Sequence, residues 1–236
     1  MHLAQWTLLE YVLIGQSDNV AVRSLSQSFG TSGRLDAEYY QPKFARLFDV
    51  LSNVKTVKLG EVVDLQKSVE PGSEAYQANG VPFVRVADLS KFGIGQTDKY
   101  LNPDDFGEVI RPKKDTVLLT KDGTVGIAYR VPQDLNVITS GAIVHLSLKT
   151  DEILPDYLAL VLNSVAVQLQ AERDAGGSII QHWKPSEILA VVIPVLPKEI
   201  QQTISDKVQM GFELKNQSEI LLEQAKTLVE KAIEHY

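Results

Sequence analysis

The sequence predicts an α+β fold, in which a β-rich domain with short helices is followed by a long C-terminal α-helix. Between residues 56 and 148, short apolar runs alternate with turn sequences such as Asn79-Gly80 and Asp122-Gly123, a pattern typical of strands. From residue 199 to 236, apolar residues recur in steps of three and four, as on one buried face of a helix. Such a helix would be about 57 Å long. This length exceeds what one small domain can cover, so part of its apolar face needs a partner.

Residues 1–57 are predicted to form an N-terminal helical segment. Residues 8–14 are apolar enough for a strand, whereas residues 35–51 carry apolar side chains at helical spacing, with Asp36 as the N-cap. Pro42 either divides this helix or starts it.

Residues 58–198 are predicted to form the β-rich domain, and residues 199–236 the terminal helix. The expected strands are 57–63, 81–86, 116–119, 126–130, 136–138, 142–148 and 190–195. The expected helices are 155–172, with Pro155 in the first turn, and 185–189. A polar loop with Gly176 and Gly177 separates these two helices.

Composition narrows the class of protein. The chain has 236 residues, 44% of them hydrophobic, and no apolar run approaches the roughly 20 residues of a membrane span. Residues 1–22 lack a basic leader and a cleavage site, so secretion is not expected. The absence of cysteine excludes disulfides and thiolate metal sites. We therefore expect a globular protein of the cytoplasm.

Net charge argues against a nucleic-acid partner for the chain as a whole. It is −7 overall, and residues 58–198 carry 14 basic and 18 acidic side chains. Between Arg111 and Arg130, however, five basic side chains face only two acidic ones. Any DNA contact must therefore be local, and it requires a more basic partner subunit.

Several segments, in order, resemble the specificity (S) subunit of type I restriction-modification enzymes, and specifically one half of it. They are residues 34–42 (RLDAEYYQP), 57–61 (VKLGE), 80–85 (GVPFVR) with 88–89 (DL), 118–126 (LLTKDGTVG), 154–158 (LPDYL) and 193–197 (IPVLP) with Glu199, Gln201 and Ile204. Together they cover roughly residues 35–236, and their order and spacing are more specific than any one of them.

The resemblance implies that a DNA target-recognition domain reads one half of a split target. The long helix would then set the distance to a second recognition domain and dock methyltransferase subunits, and through them restriction subunits. The resemblance also places S-adenosylmethionine, ATP and magnesium in those partners, with no cofactor in this chain. Full-length members carry two recognition domains and two spacer helices, so this chain is either a natural half-subunit or a piece of a longer one. A half-subunit is expected to form a homodimer through its helix and to read an inverted-repeat target.

The hairpin at 118–126 supplies one set of candidate DNA contacts. Its glycines allow left-handed turns and a close approach of backbone to phosphate. Candidate cations for a phosphate or a guanine edge are Lys121, Arg85, Lys113, Lys114 and Arg130. The alternative is a solvated hairpin whose lysines only maintain solubility.

The segment 178–184 supplies the second set, namely Ser178, Gln181, His182, Trp183 and Lys184. Gln181 suits adenine and Lys184 suits guanine or phosphate, while His182 and Trp183 could stack or contact a groove. The alternative is that Trp183 fills the core and His182 caps a turn.

No pattern points to catalysis. Asn102-Pro103-Asp104 is only a turn and not a methyltransferase motif. Pro155-Asp156 and Glu213-Leu214-Lys215 have the letters of a nuclease site, but both segments are predicted to be helical. The four histidines are scattered, without the paired spacing of a zinc site. The sequence therefore predicts a non-catalytic chain without a metal.

The distal part of the terminal helix carries a candidate interface for a second chain. Its apolar residues are Leu221, Leu222, Ala225, Leu228, Val229, Ala232 and Ile233, called the distal stripe below. Lys215 and Ser218 interrupt a regular heptad, which favours a short antiparallel contact. The alternative is that the helix packs entirely on its own domain. Two other functions remain open, a scaffold that binds no DNA and a recognition half detached from a fused restriction-methylation enzyme.

Overall fold

The computed structural model describes residues 20–175 and 181–234, and the fold is α+β with a long C-terminal helix, as predicted. Its strands are β1 (Thr56–Lys58), β2 (Val63–Lys67), β3 (Val81–Val84), β4 (Leu89–Ser90), β5 (Gly93–Ile94), β6 (Tyr100–Leu101), β7 (Val117–Thr120), β8 (Ala128–Arg130), β9 (Ile138–Thr139), β10 (Ile143–Leu148) and β11 (Val192–Pro194). Its α-helices are α1 (Phe29–Ser32), α2 (Pro42–Leu51), α3 (Leu59–Val62), α4 (Pro155–Leu162), α5 (Val165–Ala175), α6 (Pro185–Ala190) and α7 (Lys198–Glu234). Short 3-10 helices occupy Ala37–Tyr40, Ser73–Ala75 and Val86–Asp88.

The main sheet is antiparallel, with strand order β2-β10-β7-β8. Successive side chains of a strand point to opposite faces of the sheet. Accordingly, Val117 and Leu119 of β7 join the core that includes α4, whereas Leu118 joins a second core with Val84 and Ile143. The whole of β7 is therefore buried, which fixes the base of the hairpin that it forms with β8.

A smaller sheet has the order β6-β3-β9, in which β3 pairs antiparallel with β6 and parallel with β9. The turn into β3 depends on Gly80, whose φ is 137°. A Cβ at this position would lie 2.3 Å from the carbonyl oxygen of Leu101, so only glycine fits. The predicted Asn79-Gly80 turn is therefore a structural requirement of this sheet.

The predicted strand at 57–63 is interrupted, because a helical turn, α3, separates β1 from β2. Leu59 and Val62 are three residues apart and both enter the main core. Helical spacing places them on one side. The apolar run at 57–63 was thus wrongly predicted as one strand.

The predicted helix at 155–172 is divided into α4 and α5 by Asn163. The Asn163 side-chain amide donates from Nδ2 to Ala128 O at 2.7 Å, and its Oδ1 accepts from Ala128 N at 3.1 Å. This side chain therefore pairs with the edge strand β8 as a neighbouring strand would. The helix is interrupted at Asn163, the residue that makes this contact.

The N-terminal region begins its main helix at Pro42, which is the first residue of α2. Phe44, Leu47 and Leu51 of this helix pack against Ala166 and Leu169 of α5. The strand predicted at 8–14 lies outside the described residues.

The terminal helix α7 is attached to the domain by its first turns. Gln201 is 1% exposed, and its amide bonds Leu154 N at 2.9 Å, Glu152 O at 2.9 Å and Leu196 O at 2.8 Å. Further along, Gln209 Nε2 donates to Asp156 Oδ2 at 2.7 Å, and the ring of Phe212 meets that of Tyr129 edge-on at 6.5 Å. The helix therefore leaves the domain in a fixed direction.

Candidate nucleic-acid interface

The β7–β8 hairpin turns at Asp122-Gly123, as the sequence predicts. Gly123 has a φ of 73°, in the left-handed region that favours glycine. A Cβ at Gly123 would meet no atom within 4 Å among the described residues. The side of Gly123 on which a side chain would lie is therefore open space.

The second predicted segment docks directly on this turn. Gly123 N donates to Gln181 O at 3.0 Å, and Trp183 N donates to Lys121 O at 2.7 Å. Asp122 and His182 form an antiparallel bridge between these bonds. The hairpin and the segment at 181–184, which the sequence singled out separately, thus form one continuous surface.

Asp122 joins the side chains of this surface. Its Oδ2 accepts from Lys121 Nζ, and its Oδ1 meets Nδ1 of His182. The exposed fraction of the side chain is 58% for His182 and 8% for Lys121. Lys121, Asp122 and His182, called the Asp122 cluster below, therefore present an imidazole to solvent and keep the ammonium inside.

Lys121 is not a free cation, contrary to the expectation from its place beside the hairpin glycines. It follows the buried strand β7 directly, and its backbone also bonds Ala142 O at 2.8 Å. Since its ammonium group is buried against Asp122, a duplex cannot reach it without rearrangement. Its role is to hold the turn.

Trp183 is also not at the surface. It is fully buried in the main core, and its Nε1 has no hydrogen-bond partner among the described residues. A buried indole contributes a large apolar area. Trp183 therefore anchors the segment at 181–184 to the main core. This corresponds to the alternative interpretation of the sequence, in which Trp183 fills the core.

The other members of the segment differ in accessibility. Lys184 is exposed and is the N-cap residue of α6, and its ammonium group lies 3.3 Å from a carboxylate oxygen of Glu187. Gln181 is half-buried and lines a cavity of 300 Å³ beside α5. Ser178 lies outside the described residues.

The remaining predicted cations lie on other parts of the domain, and the guanidinium groups are engaged by carboxylates. Arg85 pairs with Asp88 at 3.0 Å and with Asp98 at 2.8 Å. Arg130 Nε donates to Asp115 Oδ1 at 3.0 Å, and Asp156 lies 3.9 Å away. Each of these two guanidinium groups therefore already has carboxylate partners.

Lys113 and Lys114 share one carboxylate. Lys113 Nζ lies 3.1 Å from Asp134 Oδ2, and the backbone N of Lys114 donates to Asp134 Oδ1 at 2.9 Å. Both lysines are exposed. They are the most accessible of the predicted cations of residues 111–130.

The segment 34–42 has a structural role that sequence reasoning did not assign. Arg34 Nη1 donates to Asp174 O at 3.2 Å near the end of α5. The guanidinium of Arg173 lies 5.1 Å from the ring centroid of Tyr39 and 4.7 Å from that of Phe48. The N-terminal segment thus clamps the helix that leads towards Gln181.

The distal stripe projects from the domain uncovered. Leu221, Leu222, Leu228, Val229 and Ile233 are 60–69% exposed, and Ala225 and Ala232 are exposed as well. By contrast, Ile204, Val208 and Phe212 nearer the root of α7 are half-buried. The alternative in which the whole helix packs on its own domain is therefore wrong.

Within residues 20–175 and 181–234, no group of three or more potential ligands could hold a metal ion. In the same part of the chain, no helix combines the length and hydropathy needed to cross a bilayer.

Sequence comparison identifies the family. The family described as "Type I restriction modification DNA specificity domain" matches residues 52–224, a stretch that includes the hairpin, the segment at 181–184 and most of α7. The chain belongs to this family. Its members supply DNA specificity, so the chain is a non-catalytic component, as the sequence predicts.

Solved structures share the fold. The S subunit of the type I restriction-modification system of M. genitalium is 20% identical, with a TM-score of 0.54 over 74% of this chain and 44% of that one. A chain from a structure on assembly of the type I restriction-modification system is 20% identical, with a TM-score of 0.52 over 76% of this chain and 44% of that one. The type IIG restriction endonuclease BpuSI is 12% identical, with a TM-score of 0.52 over 70% of this chain and 28% of that one.

The chain therefore spans less than half the length of these proteins. No curated protein sequence matches it.

Proposed function

We propose that this chain is the DNA-specificity component of a type I restriction-modification complex and reads one half of a bipartite target. The observation that carries the proposal is the family match over residues 52–224. The surface that would read DNA is the one made by the Gly123 turn and the segment at 181–184. It is open at Gly123 and exposes His182 and Lys184.

The charges of the domain bear on how the complex would hold DNA. Arg85, Arg130, Lys113, Lys121 and Lys184 each have a carboxylate partner. Phosphate contacts supply most of the sequence-independent affinity of DNA-binding proteins. Because these cations already have carboxylate partners, the chain alone would bind DNA weakly, and partner subunits would supply most phosphate contacts. We therefore include methyltransferase subunits, and restriction subunits bound through them, in the proposed complex.

A second copy of this chain is the proposed occupant of the distal stripe. The helix has 37 residues, and at about 1.5 Å per residue it is about 55 Å long. Its distal half offers exposed leucine and valine side chains that another apolar helix face could cover. A two-fold axis through this contact would hold two reading surfaces at a fixed separation and select an inverted repeat.

A scaffold that binds no DNA is the competing function, and the pairing of cations with carboxylates favours it. One experiment separates the two. The full chain is mixed with the methyltransferase encoded beside it and with a library of random duplexes, and bound DNA is sequenced. We expect enrichment of an inverted repeat with two short half-sites. Recovery of the protein complex without any enriched sequence would support the scaffold instead.

A further inference from the structure

The Asp122 cluster determines which nitrogen of His182 carries a proton. Lys121 Nζ donates to one oxygen of Asp122, and His182 Nδ1 meets the other. An ammonium group only donates hydrogen bonds, and an ionised carboxylate only accepts them. The proton of the bond between His182 and Asp122 must therefore lie on Nδ1.

When the imidazole of His182 is neutral, its other ring nitrogen has a free lone pair. A neutral imidazole carries a single N–H, so a proton on Nδ1 makes Nε2 an acceptor. Nε2 makes no hydrogen bond with the described residues, and the side chain is 58% exposed. The cluster therefore presents a hydrogen-bond acceptor to solvent next to the hairpin turn.

The position of this acceptor is fixed on both sides along the chain. The residue before His182 accepts at its carbonyl from Gly123 N at 3.0 Å, and the residue after it donates to Lys121 O at 2.7 Å. Trp183 is fully buried beneath. Since both neighbours are held, His182 has little backbone freedom and a contact from Nε2 would be directional.

We propose that His182 is a specificity-determining residue, in which Nε2 accepts a hydrogen bond from an exocyclic base amine in the major groove. Asp122 is its positioning residue. This inference rests on the proposed function, because it requires that the surface at Gly123 faces DNA.

The acceptor character limits what His182 can read. In the major groove, guanine O6 and N7, adenine N7 and thymine O4 are acceptors, and phosphate oxygens accept as well. An Nε2 lone pair repels all of them. Only adenine N6 and cytosine N4 donate there. The ligand class is therefore an amino group of adenine or cytosine.

The first test needs no DNA. Long-range ¹H–¹⁵N spectra of the full chain at about pH 8, where imidazole side chains are ordinarily neutral, report which nitrogen of His182 is protonated. We expect the Nδ1–H form in the native chain and a mixture of both forms in Asp122→Asn, whose amide can donate as well as accept. A native spectrum dominated by Nε2–H would overturn the assignment.

The second test uses the complex with methyltransferase and its selected duplex. Each adenine and cytosine of the half-site is replaced in turn by an analogue without the major-groove amine, 2-aminopurine or 2-pyrimidinone. At one position we expect a loss of affinity of about tenfold for the native complex, as for one hydrogen bond. His182→Asn keeps a donor for Asp122 but has no Nε2, so it should bind both duplexes equally.

Salt dependence separates this contact from a phosphate contact. Loss of a phosphate contact would lower the slope of log affinity against log salt by about 0.9. His182→Asn should leave that slope unchanged. Binding that persists with the same analogue sensitivity in His182→Asn would overturn the inference and leave the proposed function intact. Absence of binding to any duplex would instead remove the proposed function.

Discussion

Gln201 Oε1 accepts a hydrogen bond from Leu154 N at 2.9 Å, and this bond joins the terminal helix to the start of α4. The Nε2 of the same side chain donates to Glu152 O and to Leu196 O. One buried amide therefore satisfies three backbone groups from two different segments. It does so at the point where the direction of the helix is decided.

Replacement of Gln201 by alanine should destabilise the chain by about 2–4 kcal/mol, because several buried polar groups lose their partner. Urea unfolding followed by circular dichroism measures the change. Gln202→Ala is the matched control, since Gln202 is exposed and bonds only Asp206. Equal stability of the two variants would contradict the anchoring role of Gln201.

Burial of the His145 imidazole should make the stability of the chain depend on pH. Burial lowers the pKa of His145 to about 4, and its Nε2 lies 2.8 Å from Thr139 Oγ1. The unfolded chain, with an ordinary pKa of about 6.5 for this group, binds the proton more readily. Stability is therefore complete above about pH 6.5 and falls as pH decreases towards 4, by at most about 1.4 kcal/mol per pH unit.

The measurement is urea unfolding at several pH values between these limits. His145→Gln removes the titrating group, so its stability should change less steeply with pH than that of the native chain. If the two proteins show the same slope, His145 does not titrate as its burial indicates.

Trp183 should tolerate phenylalanine far better than alanine. The side chain is fully buried, and truncation of such a residue to alanine costs about 3–5 kcal/mol. Trp183→Phe keeps most of the apolar volume. It should also select the same DNA sequence as the native complex, because the indole faces the core. A changed target for a stably folded Trp183→Phe would mean that the ring contacts DNA.

The distal stripe predicts that Leu221→Glu impairs self-association without loss of folding. Leu221 is 63% exposed, so the new carboxylate is solvated in the monomer but would be buried at a helix contact. Sedimentation velocity should show a monomer with an unchanged melting temperature. Asn216→Glu adds the same charge on another face of the helix and should still dimerise. Dimers of both variants would place the interface elsewhere.

Removal of the Asp134 carboxylate should increase the nonspecific affinity of the chain for DNA. The bond from Lys114 N, followed by that from Lys113, lowers the pKa of this carboxyl group. Asp134→Asn frees the Lys113 ammonium, and one added phosphate contact should steepen the salt slope by about 0.9. Asp151→Asn removes an equal charge at an exposed residue without an ion pair among the described residues. Identical slopes for the two variants would argue against the release of Lys113.

The parts of the fold that local chemistry determines were predictable from sequence. Pro42, Pro155 and Pro185 each begin a helix, and the turns at Gly80 and Gly123 have the positive φ that glycine permits. The break at Asn163 could not be predicted, because its cause is the backbone of Ala128, 35 residues away. Only the folded chain brings the two together.

The candidate site divides in the same way. The resemblance pointed to the hairpin and the residue types pointed to the segment at 178–184, yet the contact between them depends on residues 60 positions apart. Lys121 and Trp183 are of residue types that commonly contact DNA, but both are buried in the folded chain. Lys121 stabilises the turn, and Trp183 packs in the core. Asp122 was read only as a turn residue, although it joins the surface together.

The carboxylates that accompany the cations of this domain have a consequence for how a complex would search a genome. A DNA-binding domain with many unpaired lysines binds any stretch of duplex, because phosphates are the same at every position. Here Asp88, Asp98, Asp115, Asp134 and Glu187 occupy those cations beforehand. In the proposed complex, nonspecific binding would therefore be weaker than for a domain whose cations are all unpaired, and the identity of the bases would determine more of the affinity.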